Sequence, residues 1–409
     1  MPSSAIPRAA DTASKNVVQT VDGQKIVRVC DARLAYGDVV GDESLSGRLM
    51  SAGPILELID RFAGALAEKY EVELIFGAVC FSFSFFSADC SVTVDQGIAT
   101  VSIDRVDIKS PIAHGDLLQL EGEVIHTGRS SMVIQMSGYR YDLVHAKFIE
   151  VLDAFATFVA IDYKTLRPRP GLPQLVHPTD PTYVSRHEAL ANQRKELAAR
   201  WREMQQQVDE LPHVSADMIQ SFGSDHSELV PVRDTVLKIQ TTFLPKNLNG
   251  NNTVFGGDVL AFMDKVALQC ARGFTRNRNM TTVSMNRISF RLPIHINDIA
   301  TMVARVCSVR EYHLEVEVEV FISHVRTKAL CRSHTGYFTV VNLDLLHCKM
   351  RIQRGLLVDE SDQGSMRTML KAQYRYAFDK AEEKLHPLDQ APVGSTTPIY
   401  VAPALHSHL

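Results

Sequence analysis

Apolar residues recur at helical spacing before the chain changes to a period of two. Val259, Leu260, Met263, Val266, Ala267 and Cys270 repeat every three to four positions, which predicts an amphipathic helix over 258–272. The helix starts directly behind Gly256-Gly257, where small residues let the backbone turn tightly. Strands are then expected at 282–290, 299–310, 313–324 and 328–341. From Leu314 to Phe321 apolar residues alternate with Glu, the mark of a strand with one face in the core and one acidic face in water. One long helix against a meander of long antiparallel strands makes an α+β layer.

The pattern occurs twice. Val101-Ser-Ile-Asp-Arg-Val106 returns as Val283-Ser-Met-Asn-Arg-Ile288, and Pro111 and Asp116 return as Pro293 and Asp298, all at one offset of 182 in the numbering. Upstream, Gly53-Pro-Ile-Leu-Glu-Leu-Ile-Asp60 matches Gly257-Asp-Val-Leu-Ala-Phe-Met-Asp264 at an offset of 204. Downstream, Ala156-Thr-Phe158 is aligned with Gly336-Tyr-Phe338. Two domain copies in one chain form a built-in dimer, whose shared seam can draw on both halves. The copies differ in length. The step from Asp60 to Val101 is longer than the step from Asp264 to Val283, so the first copy holds an insertion of 22. It includes Cys80-Phe-Ser-Phe-Ser-Phe-Phe86, expected as an extra strand.

Between the copies, Arg167-Pro-Arg-Pro-Gly-Leu-Pro173 reads as an extended spacer. Residues 187–209, with the single tryptophan Trp201, read as a charged helix expected to be a solvated strap. A further helix fits within 356–385. The organisation expected is an N-terminal extension 1–34, a first domain 35–165 with its insertion near 71–99, a linker 166–230, a second domain 231–345 and a C-terminal extension 346–409.

Composition narrows the function. The 409 residues carry 43 basic and 47 acidic side chains, a formal net charge of −4, so no field favours nucleic acid. The seven cysteines are scattered and lack a CxxC pair, which points to reduced thiols and supports neither a disulfide frame nor a metal site. The most apolar stretch, 74–86, is too short for a membrane span. GxGxxG, GxxxxGK[ST], GxSxG and HExxH are all missing from the chain.

The segment Pro245-Lys-Asn-Leu-Asn249-Gly-Asn-Asn-Thr-Val-Phe255-Gly256-Gly257 through Asp264, followed by Thr282 to Pro293, resembles the hotdog-fold acyl-CoA thioesterases. Gly128-Arg-Ser-Ser-Met132, Val151 to Phe158 and Val232-Arg-Asp-Thr235 are similar to the mitochondrial two-hotdog members. The resemblance implies tandem hotdog domains, no cofactor beyond the coenzyme A of the substrate, and a homo-oligomer in which three chains close a ring of six hotdogs. It also implies a site between two hotdogs, where the Asn loop of one faces the helix carboxylate of the other. Asn249 lies seven residues before Gly256, and seven residues before Ala52 stands Leu45, which has no amide. One complete site should therefore pair Asn249 with Asp60, and the opposite site, with Asp264, should be defective.

The chemistry suits a thioester. A carboxylate facing an apolar seam can act as general base toward water or attack to give a mixed anhydride, and the sequence leaves both routes open. Asn249 can orient the water or the carbonyl, and the Gly257 amide, with Gly256 at a helix N-terminus, offers an oxyanion donor. For the CoA phosphates, Arg129, Ser130 and Ser131 in one turn and Arg310 in its counterpart are the candidates that the resemblance implies. The rival expectation is a non-catalytic acyl-CoA-binding or assembly protein with a degenerate site. Ser407-His408-Leu409 is similar to a peroxisomal address read by an import receptor, and the basic residues of the first 40 positions leave a mitochondrial address as the alternative.

Overall fold

The computed structural model describes residues 18–21, 24–72, 96–162, 165, 167–220, 226–250, 252–324, 330–383 and 400–401. The Ser/Phe run at 80–86, the tripeptide 407–409 and the first 17 positions lie outside the described residues.

Two long helices form the heart of the molecule. Helix α1 (Ala52–Val72) buries Ile55, Leu56, Ile59, Phe62, Ala63, Leu66, Ala67 and Tyr70, one stripe at three-to-four spacing. Its counterpart α3 (Gly256–Thr275) buries the stripe expected from its sequence and stops at Arg276, whose φ of 55° is left-handed. Each large apolar side chain so buried contributes about 1.5–3 kcal/mol. The helices pack against one another, and an eleven-stranded sheet wraps both.

From one edge the sheet runs Leu237–Thr241, Asp298–Val309, His313–His324, Leu330–Asn342 and Met280–Ser289. It continues without a break through Gln96–Ile108, Lys147–Asp162, Ser131–Asp142, Leu117–Thr127 and Arg33–Val39, with Tyr400–Val401 outermost. The halves join where Met285 pairs with Val106 and Asn286 with Arg105, antiparallel. Equivalent strands of the two copies thus meet at a pseudo-twofold axis.

The offset of 182 survives in detail. Ala113 N–H donates to Asp116 Oδ2 and His295 N–H to Asp298 Oδ2, both at 2.8 Å. A β-bulge interrupts the pairing after Gly138–Leu152 in the first copy and after Val320–His334 in the second. Gln135 faces Phe155 as Glu317 faces Tyr337. This register corrects the alignment of Ala156–Phe158 with Gly336–Phe338, which is two residues out: Tyr337 is the counterpart of Phe155.

The supposed linker and tail belong to the repeat. Helix α2 (Pro181–Glu210) is capped by Asp180 and helix α4 (Gln363–Glu382) by Asp362, again at the offset of 182. Short parallel strand pairs lead into both, Gln24–Arg28 with Gln174–Val176 and Glu228–Val230 with Arg354–Leu356. Arg194 stacks on Phe155 at 3.5 Å and Arg375 on Tyr337 at 4.0 Å. The α2 helix, expected to be solvated, buries Tyr183, His187, Leu190, Arg194 and Val208 and packs on α4. The acidic face of His313–His324 is likewise covered: Glu315 is buried and accepts from Arg375 Nε at 2.9 Å. A 3.6-residue pattern is plain only where apolar residues make most of the contact; here arginine stems and aromatic rings share it with Val208, Met366, Met369 and Leu370.

Candidate active site

The helix pair sets the site. Gly53 opens α1 against Ala261 and Asp264 of α3, and Gly257 opens α3 against Glu57 of α1. A methyl at Gly53 would stand 3.0 Å from the Ala261 carbonyl oxygen, and one at Gly257 3.0 Å from the Glu57 Cα. The helices are therefore antiparallel and in backbone contact, which only glycine permits. Each helix N-terminus meets the carboxylate in the middle of the other helix.

Both carboxylates are buried, Asp60 with 2% and Asp264 with 1% of its surface exposed. Desolvation pushes each up to about 6, outweighing the hydroxyl and amide donors that favour the charged form. Thr100 Oγ1 donates to Asp60 Oδ1 at 3.2 Å, and Thr282 Oγ1 donates to Asp264 Oδ1 at 2.5 Å. These threonines escaped the reading of the sequence, although they too stand at the offset of 182 and each follows its acid on the neighbouring strand.

The second oxygens differ. Asp264 Oδ2 accepts the Gly53 amide at 2.9 Å, so each oxygen of that carboxylate has a donor. The Gly257 amide also faces Asp60 and draws its pKa down, yet Asp60 Oδ2 is buried without a hydrogen-bond partner among the described residues. A methyl at Gly256 would lie 2.9 Å from that oxygen and 3.2 Å from the Phe290 ring. The corresponding residue of the other seam is Ala52, which carries such a methyl. The amide expected as an oxyanion donor is thus turned toward the carboxylate in this structure.

The Asn loop leads into the same place. Asn249 N–H bonds Thr253 O at 2.8 Å, and Asn249 Oδ1 accepts from Thr253 N–H at 3.2 Å and Thr253 Oγ1 at 3.1 Å. The loop then runs through Phe255 to Gly256, beside Asp60. Val254 N–H bonds Ile294 O at 2.8 Å, and in the first copy Met50 N–H bonds Ile112 O at 2.9 Å. These equivalent bonds make Leu45 the structural counterpart of Asn249.

The CoA candidates are not brought to either carboxylate. Thr127 Oγ1 and Tyr70 Oη both donate to the Pro173 carbonyl, at 3.1 and 2.9 Å, so the turn of Arg129, Ser130 and Ser131 sits at the C-terminal end of α1. That is about 15 Å along the helix axis from Asp60. Arg310 is held elsewhere, its guanidinium 3.6 Å above the Tyr376 ring of α4. Among the described residues no cluster of His, Cys, Asp and Glu is arranged to hold a metal ion, and no helix is long and apolar enough to cross a membrane.

Two long helices back to back inside one continuous sheet, with a carboxylate of each at the N-terminus of the other, define a double hotdog. The family model described as Thioesterase superfamily matches residues 49–145 and 251–329. Protein VdlD of Helicobacter pylori is 28% identical over 128 residues, 31% of this chain and 73% of that protein. Acyl-coenzyme A thioesterase 11 of Mus musculus is 26% identical over 301 residues, 72% of this chain but 44% of that protein. The solved 12:0-ACP thioesterase from Umbellularia californica is similar over 76% of this chain and 94% of its own, with 10% identity and a TM-score of 0.44.

Proposed function

We propose that this thioester hydrolase acts on fatty acyl-CoA, releasing a fatty acid and free CoA at one site per chain, formed by Asp60, Thr100, Gly256, Gly257 and the Asn249 loop. The observation that carries the reading is the Asp60 carboxylate: buried, anchored through one oxygen by Thr100, with the other unpartnered beside the opening of α3. An anchored carboxylate with one open oxygen is the arrangement that can take a proton from water or attack a carbonyl. With its pKa near 6, Asp60 is ionised at neutral pH and basic enough to accept that proton. Substrate entering the seam would release the Gly257 amide to the developing oxyanion, at the positive end of α3. Asn249 Nδ2 would hold the water or the thioester. Asp264, filled by Thr282 and Gly53, would serve structure.

Support for the substrate class comes from the relatives named as acyl-CoA thioesterases. CoA would lie with its phosphates toward the Arg129 turn, away from the thioester. The ring of three chains remains our proposal for the assembly, to be read from the sedimentation mass. The decisive experiment is free-thiol release from acyl-CoAs of graded chain length by wild type, Asp60→Asn and Asp264→Asn. Turnover lost only in Asp60→Asn supports the reading. A wild type that binds acyl-CoA and releases no thiol overturns it in favour of a binding protein.

A further inference from the structure

The second copy carries a buried polar pair that the proposed chemistry does not use. Ser333 and His334 have 0% and 3% of their surface exposed, at the β-bulge of strand Leu330–Asn342. The same bulge in the first copy holds Val151 and Leu152, both fully buried. A bulge turns two successive side chains toward one face, and here that face is the core. One copy fills the space with two aliphatic residues, so the fold by itself asks for no polar group there.

The pair is a relay with a fixed direction. Ser333 Oγ donates to the Leu292 carbonyl at 2.7 Å, so toward the imidazole it must accept, and His334 Nδ1–H is the donor at 2.5 Å. The ring is neutral, since burial holds its pKa down near 4. Its other contact is edge-to-face with Phe290, ring centroids 5.0 Å apart, and Phe290 is the ring lying against Gly256. Leu292 lies two residues before Ile294, whose carbonyl holds the Val254 amide and with it the Asn249 loop. In the first copy the neighbouring segment is tied by backbone instead, Lys109 N–H to Val151 O at 2.7 Å.

We propose that Ser333 and His334 are positioning residues for the active seam: through Leu292 they fix the segment that carries the Asn249 loop, and through Phe290 they fix the wall beside Gly256. They touch no reacting atom. Their effect is on where Asn249 stands relative to Asp60, and a displacement of about 1 Å in such a group is worth up to 100-fold in rate. The inference rests on the proposed hydrolysis for its consequence, though not for its geometry.

The test replaces the pair by the residues of the other copy, Ser333→Val with His334→Leu, and compares it with His334→Asn, which keeps a donor near the Nδ1 position. Two readouts are taken on the full-length protein: kcat and KM for acyl-CoA hydrolysis, and deuterium exchange of peptides spanning 247–256. The expected result is kcat lowered about 10- to 100-fold with Tm retained, faster exchange at Val254, and both largely restored in His334→Asn. Unchanged exchange together with unchanged kcat overturns the proposal. So does a fall in kcat that His334→Asn fails to restore while exchange stays as in wild type. If the double variant does not fold, Ser333→Ala, which removes only the hydroxyl, takes its place with the same two outcomes. A wild type without hydrolase activity sinks the reaction while leaving the exchange measurement to judge the tie.

Discussion

The two seams of this molecule were built from one plan and have diverged around one carboxylate oxygen. At the Asp60 seam the helix opposite begins with Gly256, the wall is Phe290, and the loop carries Asn249. At the Asp264 seam the corresponding residues are Ala52, Ile108 and Leu45. Backbone geometry is preserved, down to the bond that anchors each loop to the strand below it. What changed is how the second oxygen is held: Asp264 Oδ2 takes the Gly53 amide at 2.9 Å, whereas the Gly257 amide faces Asp60 without closing a hydrogen bond to Oδ2. A buried carboxylate with a donor on each oxygen can tie a helix crossing together; a buried oxygen without a closed hydrogen bond carries a cost, and sites that do chemistry are where such costs persist.

The largest effect should separate the acids. Asp60→Asn is expected to lower kcat by about 10²- to 10⁴-fold, as removal of a general base or nucleophile does, while Asp264→Asn keeps turnover within about three-fold of wild type. Equal losses in both would break the comparison. Next is Gly256→Ala, which gives the Asp60 seam the methyl of the other; with that methyl 2.9 Å from Oδ2, kcat should fall by at least about ten-fold while Tm changes little. A Gly256→Ala enzyme with normal kcat would show that space beside Asp60 is not what distinguishes the seams.

The acid limb sharpens the assignment. If ionised Asp60 acts, kcat/KM rises with pH and levels off above about 6, and this limb persists in Asp264→Asn. Stability carries the opposite sign. A carboxyl whose pKa is raised by folding contributes most below the unfolded value of 3.8, and the contribution is lost as pH rises through about 6. Asp264→Asn, whose amide oxygen can still accept from Gly53, should therefore raise stability at pH 8 by on the order of 1–3 kcal/mol relative to its effect at pH 4, read as Tm at the two pH values. The smallest effect belongs to Arg129→Ala, a few-fold rise in KM for acyl-CoA with kcat unchanged, since an exposed arginine offers a phosphate a screened contact.

Much of this was legible in the chain. The stripe Val259, Leu260, Met263, Val266 marked α3, and the repeated Val-Ser-x-x-Arg strand marked the copy number, because helical and strand periods are local consequences of backbone geometry. Asp60 and Asp264 stood out as acids among apolar neighbours in register. Thr100 and Thr282 did not, since a threonine in a strand is ordinary until something buried accepts its hydrogen. The kinship of α2 with α4 was hidden for another reason: beside a small apolar cluster of Val208, Met366, Met369 and Leu370, many of their contacts are made by arginines over rings and into Glu315, which dilutes the apolar stripe.

Short-range spacing along one chain was enough to dictate two α+β copies, the helix that opens at Gly256, and an acid at the same place in each. Packing was needed for the rest: that α1 and α3 run antiparallel in backbone contact, that α2 and α4 close over the joined sheet, and that of two equivalent aspartates only Asp264 closes a hydrogen bond to the amide facing it. Those outcomes depend on groups from opposite halves of the chain arriving within hydrogen-bond reach. The 2.9 Å between the Gly53 amide and Asp264 exists only once the core has packed, and no pattern of neighbours in sequence encodes it.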